Sequence, residues 1–260
     1  MKSKDRQRYH VPNLERAIGI LELLADHPDG LNMIEIAGRL EIPNNSVYRI
    51  TSTLVSHKYL MRDDHSKRFR LSRKFLALGY ASINEKNVVE MSMDVMRQLR
   101  DVTRETVLLG TLLDDAMIVL EQIPGSHPFK FMLDAGSRVQ LHTSAPGKAL
   151  LAFLPDSEQT EILARLKLVR FNERTITRKS DFKKALKSVH KQGYAVDCAE
   201  QLEGVHCIGA PILNQHGYPI AAIWITGPSE RVPESSFEKL GKALCSHAYQ
   251  ISQRLGYKLL

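Results

Sequence analysis

The chain has 260 residues, 43% hydrophobic and 25% charged, which suits a globular protein with a real core and room for two domains. No run reaches the ~18 uninterrupted apolar residues of a membrane helix. The charged start Met1-Lys2-Ser3-Lys4-Asp5-Arg6 lacks the apolar core of a secretory signal, so a cytoplasmic protein without a membrane partner is expected. Cys198, Cys207 and Cys245 form no CxxC pair, and the ten histidines show no HExxH-like spacing. Neither a disulfide framework nor a metal site is therefore expected, and no cofactor.

The net charge of +7 is unevenly placed. Residues 1–75 carry 14 Lys and Arg against 9 Asp and Glu, while the remaining 185 carry 22 against 20. A basic excess in one short stretch suits a polyanionic partner or a solvated charged surface. Within it, Leu14, Ala17, Ile18, Leu21, Leu24 and Ala25 repeat at helical spacing and predict a helix with one buried face. His27-Pro28-Asp29-Gly30 stops it. Asn32, with Glu35 three residues on, forms a capping box for a short helix over Met33–Leu40. Glu41-Ile42-Pro43 then turns the chain into a third helix, about Asn44–His57.

That third helix is amphipathic in an unusual way. Val47, Ile50, Thr51 and Leu54 point inward, leaving Asn44, Asn45, Tyr48, Arg49 and Ser52 outside with no carboxylate among them. Arg pairs with the O6 and N7 of guanine and Asn with adenine in the major groove. Two helices joined by a short turn, the second with such a face, describe a helix-turn-helix. Tyr59–Arg62 and Arg68–Leu71 read as two strands around a polar turn. They complete a winged helix whose Lys67, Arg68 and Arg70 suit backbone phosphates.

Beyond residue 73 a connecting helix is expected to Asn84, with Leu76, Tyr80 and Ile83 on one side. Val89–Thr103 is an amphipathic helix with Val89, Met93, Met96, Leu99 and Val102 on its face. Thr106–Leu113 with Ala116–Ile123, and Val205–Leu213 with Pro219–Thr226, read as two strand pairs, and a long helix runs from about Pro233 to Leu255. Strands with helices set apart predict an α+β domain on an antiparallel sheet. Gly147-Lys148 is not a phosphate loop, because His142 stands where Gly is required and Ala149 where Ser or Thr is. Cys207 with His142 could form a nucleophile and base. Each lies in an apolar stretch where a core role is the default, and the enzyme reading stays an alternative, as does a protein-interaction adaptor.

Several segments resemble the IclR-type family of bacterial transcriptional regulators. Val11-Pro12-Asn13-Leu14-Glu15-Arg16-Ala17, Gly30-Leu31 through Ile36-Ala37, Ser46-Val47-Tyr48-Arg49, Tyr59-Leu60 and Phe69-Arg70-Leu71-Ser72 are similar to its DNA-binding domain. Gly136-Ser137-Arg138, the run Leu141–Leu151, Gly193-Tyr194-Ala195 with Asp197 and Glu200, Gly204-Val205 with Cys207, and Ala210-Pro211 are similar to its sensor domain. The chain departs at Asn45, where the family often has Ser or Thr; Asn still serves as a cap and can read adenine. The resemblance implies a winged helix-turn-helix over 11–73, a linker helix over 74–87 that helps pair two chains, and a GAF-like effector-binding and oligomerisation domain over 88–260. It implies a transcription regulator, read as a repressor with an activator as the alternative, that binds a double-stranded DNA operator as a homodimer or a dimer of dimers. Ser46 joins the DNA-contacting set on this basis. The resemblance places polar effector contacts at Asp197, Cys207, Trp224 and Thr226. Leu141, His142, Ser144, Ala145 and Gly147 supply an apolar wall and backbone amides, and the helix start at Ala145 offers amides to a carboxylate. Trp224 replaces a small hydroxyl residue of members that bind very small acids. It either shrinks the cavity or stacks on a larger or aromatic ligand.

Overall fold

The computed structural model describes residues 11–75, 78 and 88–258, divided into two compact units after Glu85. Leu76, Tyr80 and Ile83 of the expected connecting helix lie outside the described residues.

The first unit contains helices α1 (Pro12–Ala25), α2 (Met33–Leu40) and α3 (Asn44–Ser56), followed by strands β1 (Leu60–Arg62) and β2 (Phe69–Leu71). Its core is Ile20, Leu24, Leu31, Ile36, Val47, Leu60 and Phe69. The capping box forms as expected: the Asn32 side chain accepts from the amides of Ile34 and Glu35, and Glu35 Oε2 accepts from Asn32 N at 2.8 Å. The face of α1 differs from expectation. Ile20 and Leu24 are buried, while Leu14 and Ile18 are 59% and 47% exposed and Ala25 is exposed. The C-terminal half of the helix supplies Ile20 and Leu24 to the core, while Leu14 and Ala17 line an open groove beside Ile50 and Leu54 of α3. Strands β1 and β2 pair antiparallel around Asp63, whose Oδ1 accepts from the amides of His65 and Ser66.

The second unit contains α4 (Val88–Thr103), β3 (Thr106–Leu113), β4 (Ala116–Ile123), β5 (Arg138–Gln140), α5 (Ala145–Phe153), α6 (Asp156–Arg165), α7 (Lys179–Gln192), β6 (Ala195–Cys198), β7 (Val205–Leu213), β8 (Pro219–Pro228) and α8 (Phe237–Arg254). The six strands form one antiparallel sheet in the order β5-β4-β3-β8-β7-β6. This is the α+β architecture expected of a GAF-like domain. Gly209 of β7 faces the start of α5, whereas His206, of opposite parity, meets Phe237 of α8, so the two helices cover opposite faces of the sheet. The larger core lies on the α5 side, where Leu141, Leu150, Leu151, Phe182 and Leu186 are nearly inaccessible. On α4 the buried face is Val88, Ser92, Val95, Met96 and Leu99, and the expected Val102 is 69% exposed. Ser92 can be buried because its hydroxyl donates to Val88 O at 2.6 Å, satisfying it locally.

Candidate functional site

In the first unit the expected reading face is presented to solvent. Asn44, Asn45, Tyr48, Arg49 and Ser52 are all exposed on α3, opposite the buried Val47 and Thr51. Thr51 is accommodated inside because its hydroxyl donates to Val47 O at 2.8 Å. Two details correct the sequence reading. The N-cap of α3 is Pro43 with no side-chain cap bond, so Asn45 is a second-position residue whose amide is free of a capping role. Ser46 is half-buried and its hydroxyl lies 3.5 Å from Arg16 Nη1, which ties it to α1.

The wing behaves differently at each of its three cations. Lys67 and Arg70 are exposed. Arg68, expected as a phosphate contact, instead turns inward: Nη1 donates to Gly30 O at 2.5 Å and Nη2 pairs with Glu35 Oε1 at 3.1 Å. Glu35 therefore bonds the start of α2 with one oxygen and the wing with the other. Burial half removes Arg68 from solvent and its charge is already matched, so it acts as a strut holding the wing. Arg62 of β1, which the sequence reading passed over, stacks on Phe69 at 5.7 Å. It lines an open cavity of about 610 Å³ with Ile34, Tyr48, Ser52, Val55 and Lys67. That cavity, framed by α2, α3 and the wing, has no carboxylate on its walls.

In the second unit the antiparallel register builds the site. Asp197 of β6 pairs with Cys207 of β7, and Cys207 pairs with Thr226 of β8. Three polar side chains thus stand in a row across neighbouring strands. All three line a cavity of about 180 Å³ with Ser144 and Trp224. Cys207 Sγ donates to Thr226 Oγ1 at 3.3 Å. Trp224, 2% exposed, packs in a small cluster with Leu108 and Val119, so the indole is both core and cavity wall. It narrows the space from one side.

Leu141, His142, Ala145 and Gly147 are not on the cavity wall. Leu141 is inside the main core. His142 is fully buried; its Nε2–H donates to Val169 O at 2.9 Å and its Nδ1 has no hydrogen-bond partner. Burial holds its imidazole below the usual histidine range. Gly147 gives its amide to Ser144 Oγ at 3.2 Å and Pro146 has none to give, so the start of α5 offers less to a carboxylate than expected. The two glycines seat this helix: a Cβ on Gly147 would lie 2.5 Å from Leu141 O, and one on Gly209 would lie 3.0 Å from Pro146 N. Only a residue without a Cβ permits so close an approach of backbone to backbone.

The sequence reading missed much of the cavity wall. Phe131, Met132 and Leu133 come from the irregular segment between β4 and β5, with Arg138 and Val139 from β5. Gln201, Leu202 and Val205 follow β6. A signal existed in the first group, since Phe129, Phe131, Met132 and Leu133 crowd large apolar residues into a loop bounded by Pro and Gly. Apolar groups in such a place need something to cover.

Electrostatics distinguish the polar groups. Asp197 Oδ1 accepts from Glu200 N at 2.8 Å, yet burial dominates and pushes its carboxyl up to about 6. Beneath it Lys148 Nζ contacts Glu200 Oε1 in a buried ion pair, and burial raises the Glu200 carboxyl as well. Burial and the neighbouring Asp197 carboxylate drive the Cys207 thiol far above its ordinary range, the reverse of what a nucleophilic thiolate requires.

Family comparison reaches both units. A model of the IclR helix-turn-helix domain matches residues 13–64, and one of the bacterial transcriptional regulator IclR C-terminal domain matches residues 80–253. The chain belongs to the IclR family. Among its relatives, the HTH-type transcriptional regulator KdgR of Escherichia coli K12 is 29% identical over 253 residues, covering 97% of this chain and 96% of that protein. The HTH-type transcriptional regulator BhcR of Paracoccus denitrificans is 31% identical over 239 residues, covering 92% and 85%. The Thermotoga maritima IclR crystal structure aligns over 95% of this chain and 100% of its own, with TM-score 0.70 and 28% identity. An IclR homolog of Microbacterium hydrocarbonoxydans complexed with 4-hydroxybenzoate shares the fold, with TM-score 0.80 at 20% identity, over 94% of this chain and 98% of that one. As an IclR-family member the chain is a DNA-binding transcription regulator with a C-terminal ligand-binding domain. Among the described residues no helix is long and apolar enough to cross a membrane.

Proposed function

We propose that this regulator is a cytoplasmic repressor that reads its operator with the exposed face of α3. Asn44, Asn45, Tyr48 and Arg49 reach base edges, with Ser52, Lys67 and Arg70 on phosphates. Residues 11–73 form the reading domain, 74–87 the connecting helix and 88–260 the effector and oligomerisation domain. The observation that carries this reading is the five-residue face of α3, exposed and free of carboxylates beside a carboxylate-free cavity. Paired copies are needed because one recognition helix covers only a few base pairs.

The effector is a small organic or aromatic acid held by Ser144, Asp197, Cys207, Trp224 and Thr226. The cavity volume of about 180 Å³ lies below the roughly 300 Å³ at which pockets for drug-sized ligands begin, which limits the ligand to a small molecule. Its binding shifts the DNA-bound arrangement only as far as it prefers one arrangement over the other. No catalytic step is part of this reading, given a protonated Cys207 and a His142 outside the cavity. Selection of duplexes from a random pool by the full-length protein tests the DNA half. An enriched sequence with two related half-sites is expected, and Arg49→Ala should lose the enrichment. Equal enrichment by the variant would remove α3 from the reading role.

A further inference from the structure

Beyond residue 75 the positive charge is gathered in one place. Residues 165–191 carry 10 Lys and Arg against 2 Asp and Glu, while the rest of residues 76–260 carries 12 against 18. Part of that basic stretch is engaged within the fold. Arg165, Arg170 and Arg174 pair with Glu161, Glu173 and Glu234, and Lys179 Nζ donates to Ala164 O at 2.9 Å. Most of the remainder lies on α7.

Helix α7 buries Phe182, Leu186 and Val189. With ~3.6 residues per turn, Lys183, Lys184, Lys187 and Lys191 fall together on the side away from that core, with Ser180 among them. All four lysines are exposed. Asp181 stands at the edge of this face, its Oδ1 3.4 Å from Lys184 Nζ. Among the described residues Lys183, Lys187 and Lys191 have no carboxylate partner. Lysines three and four residues apart on one helix repel each other, so the face costs α7 stability unless an anion is supplied from outside. The four span about 12 Å of the axis at ~1.5 Å per residue, and duplex DNA presents a charge every ~1.7 Å of its own axis. A bilayer fits less well, because a helix lying on a membrane inserts its apolar side and the apolar side of α7 is already inside the core.

We propose that the lysine face of α7 is a second DNA-binding surface, which holds the phosphate backbone of the duplex beyond the stretch read by α3. A DNA-binding regulator carries duplex with it, so phosphates stand at high effective concentration for any further basic face on the same chain. Lysine meets a phosphate as a point charge on a flexible stem and reads no base. The surface therefore adds affinity and salt dependence without sequence preference. It goes beyond the operator reading above, and the two fail separately.

The test is titration of the full-length protein against two duplexes across a range of salt. One just covers the selected operator, and the other adds two helical turns, about 20 base pairs, of unrelated sequence on each side. Each phosphate neutralised steepens the fall of log affinity with log salt by about 0.9. With three lysines engaged, the longer duplex should show a slope steeper by about 2.7 and lose about 40-fold more affinity between about 50 and 200 mM salt. The triple variant Lys183→Glu, Lys187→Glu, Lys191→Glu should give equal slopes on the two duplexes and hold the short one as the wild type does. The corresponding triple Gln variant, which adds no charge, should also lose the difference, and it decides the matter if the Glu variant loses the short duplex as well. Equal slopes for the wild type, or a difference kept by the Gln variant, overturn the proposal. Equal slopes together with binding to phosphatidylglycerol vesicles that the Gln variant loses would assign the face to a membrane surface instead. Loss of preference for the operator over a scrambled duplex, with the slope difference intact, overturns the reading of α3 and leaves this surface standing.

Discussion

Replacing Lys148 by Met should destabilise the effector domain by about 3–5 kcal/mol, the cost of breaking a buried ion pair by removing one partner. The geometry puts this pair at the severe end. Lys148 is 3% exposed and Glu200 7%, and Glu200 Oε2 already lacks a hydrogen-bond partner. The variant would leave Glu200 and Asp197 buried together with no cation. Burial raises the Glu200 carboxyl above the ordinary range, and Lys148 opposes that rise. Without Lys148 its folded-state value climbs further above the unfolded one. A carboxyl of that kind contributes stability that is complete below its unfolded value and lost as pH rises through its folded value. The deficit should therefore be full at about pH 8 and mostly gone at about pH 5. Trp224 is the single tryptophan of the chain and lies in this domain, so urea unfolding followed by its fluorescence reports the domain within the intact protein. A loss of about 1–2 M in midpoint is expected at the higher pH. Glu200→Gln added to Lys148→Met should recover more than half of it. A deficit below about 1 kcal/mol, or one equal at both pH values, would refute the claim that Lys148 is there to balance buried charge.

Three further outcomes are expected from local geometry. Asn32→Ala removes the cap that accepts from two amides of α2 and should cost the winged helix about 1 kcal/mol in a thermal or denaturant melt. Gly147→Ala places a Cβ 2.5 Å from Leu141 O; it should lower stability by about 1–3 kcal/mol and weaken acid binding, because Ser144 and Pro146 at the same helix start line the cavity and must shift with it. Thr51→Val should change stability by less than about 1 kcal/mol, since the hydroxyl only shares Val47 O with the helix ladder. A large loss there would mean the hydroxyl does more than satisfy itself.

The sequence made the reading domain legible almost residue by residue, because its signals are local. A capping box, a proline turn and a 3.6-residue period specify α2 and α3 without reference to anything distant. Strands β3, β4 and β7 were equally legible as apolar runs between polar turns. What the periodicity missed were positions decided by partners far along the chain. Leu14 and Ile18 have the right spacing yet stay largely exposed, and Ser92 is inside because a carbonyl four residues back accepts the hydrogen bond of its hydroxyl. Residues 156–192, helices α6 and α7, gave no clear signal in the sequence. Arg68 read as a free cation until Gly30 and Glu35, more than thirty residues earlier, were seen to hold it. The cavity followed the same rule. Asp197, Cys207 and Thr226 are joined by strand register, which family resemblance pointed to and spacing could not. Phe131, Met132 and Leu133 came from an irregular segment whose path no local pattern dictates.

The central claim is that the exposed face of α3 gives this IclR-family protein its sequence-specific hold on DNA, with the basic residues of the wing adding affinity alone. It is tested most directly by titrating the full-length protein and Arg49→Ala against a selected duplex and a scrambled one across a range of salt. Wild-type affinity should fall linearly on logarithmic axes, by about a thousandfold between about 50 and 200 mM salt for some six phosphate contacts. Arg49→Ala should lose at least tenfold on the selected duplex and little on the scrambled one. Affinity that is flat with salt, or a variant that still discriminates the two duplexes fully, would contradict it.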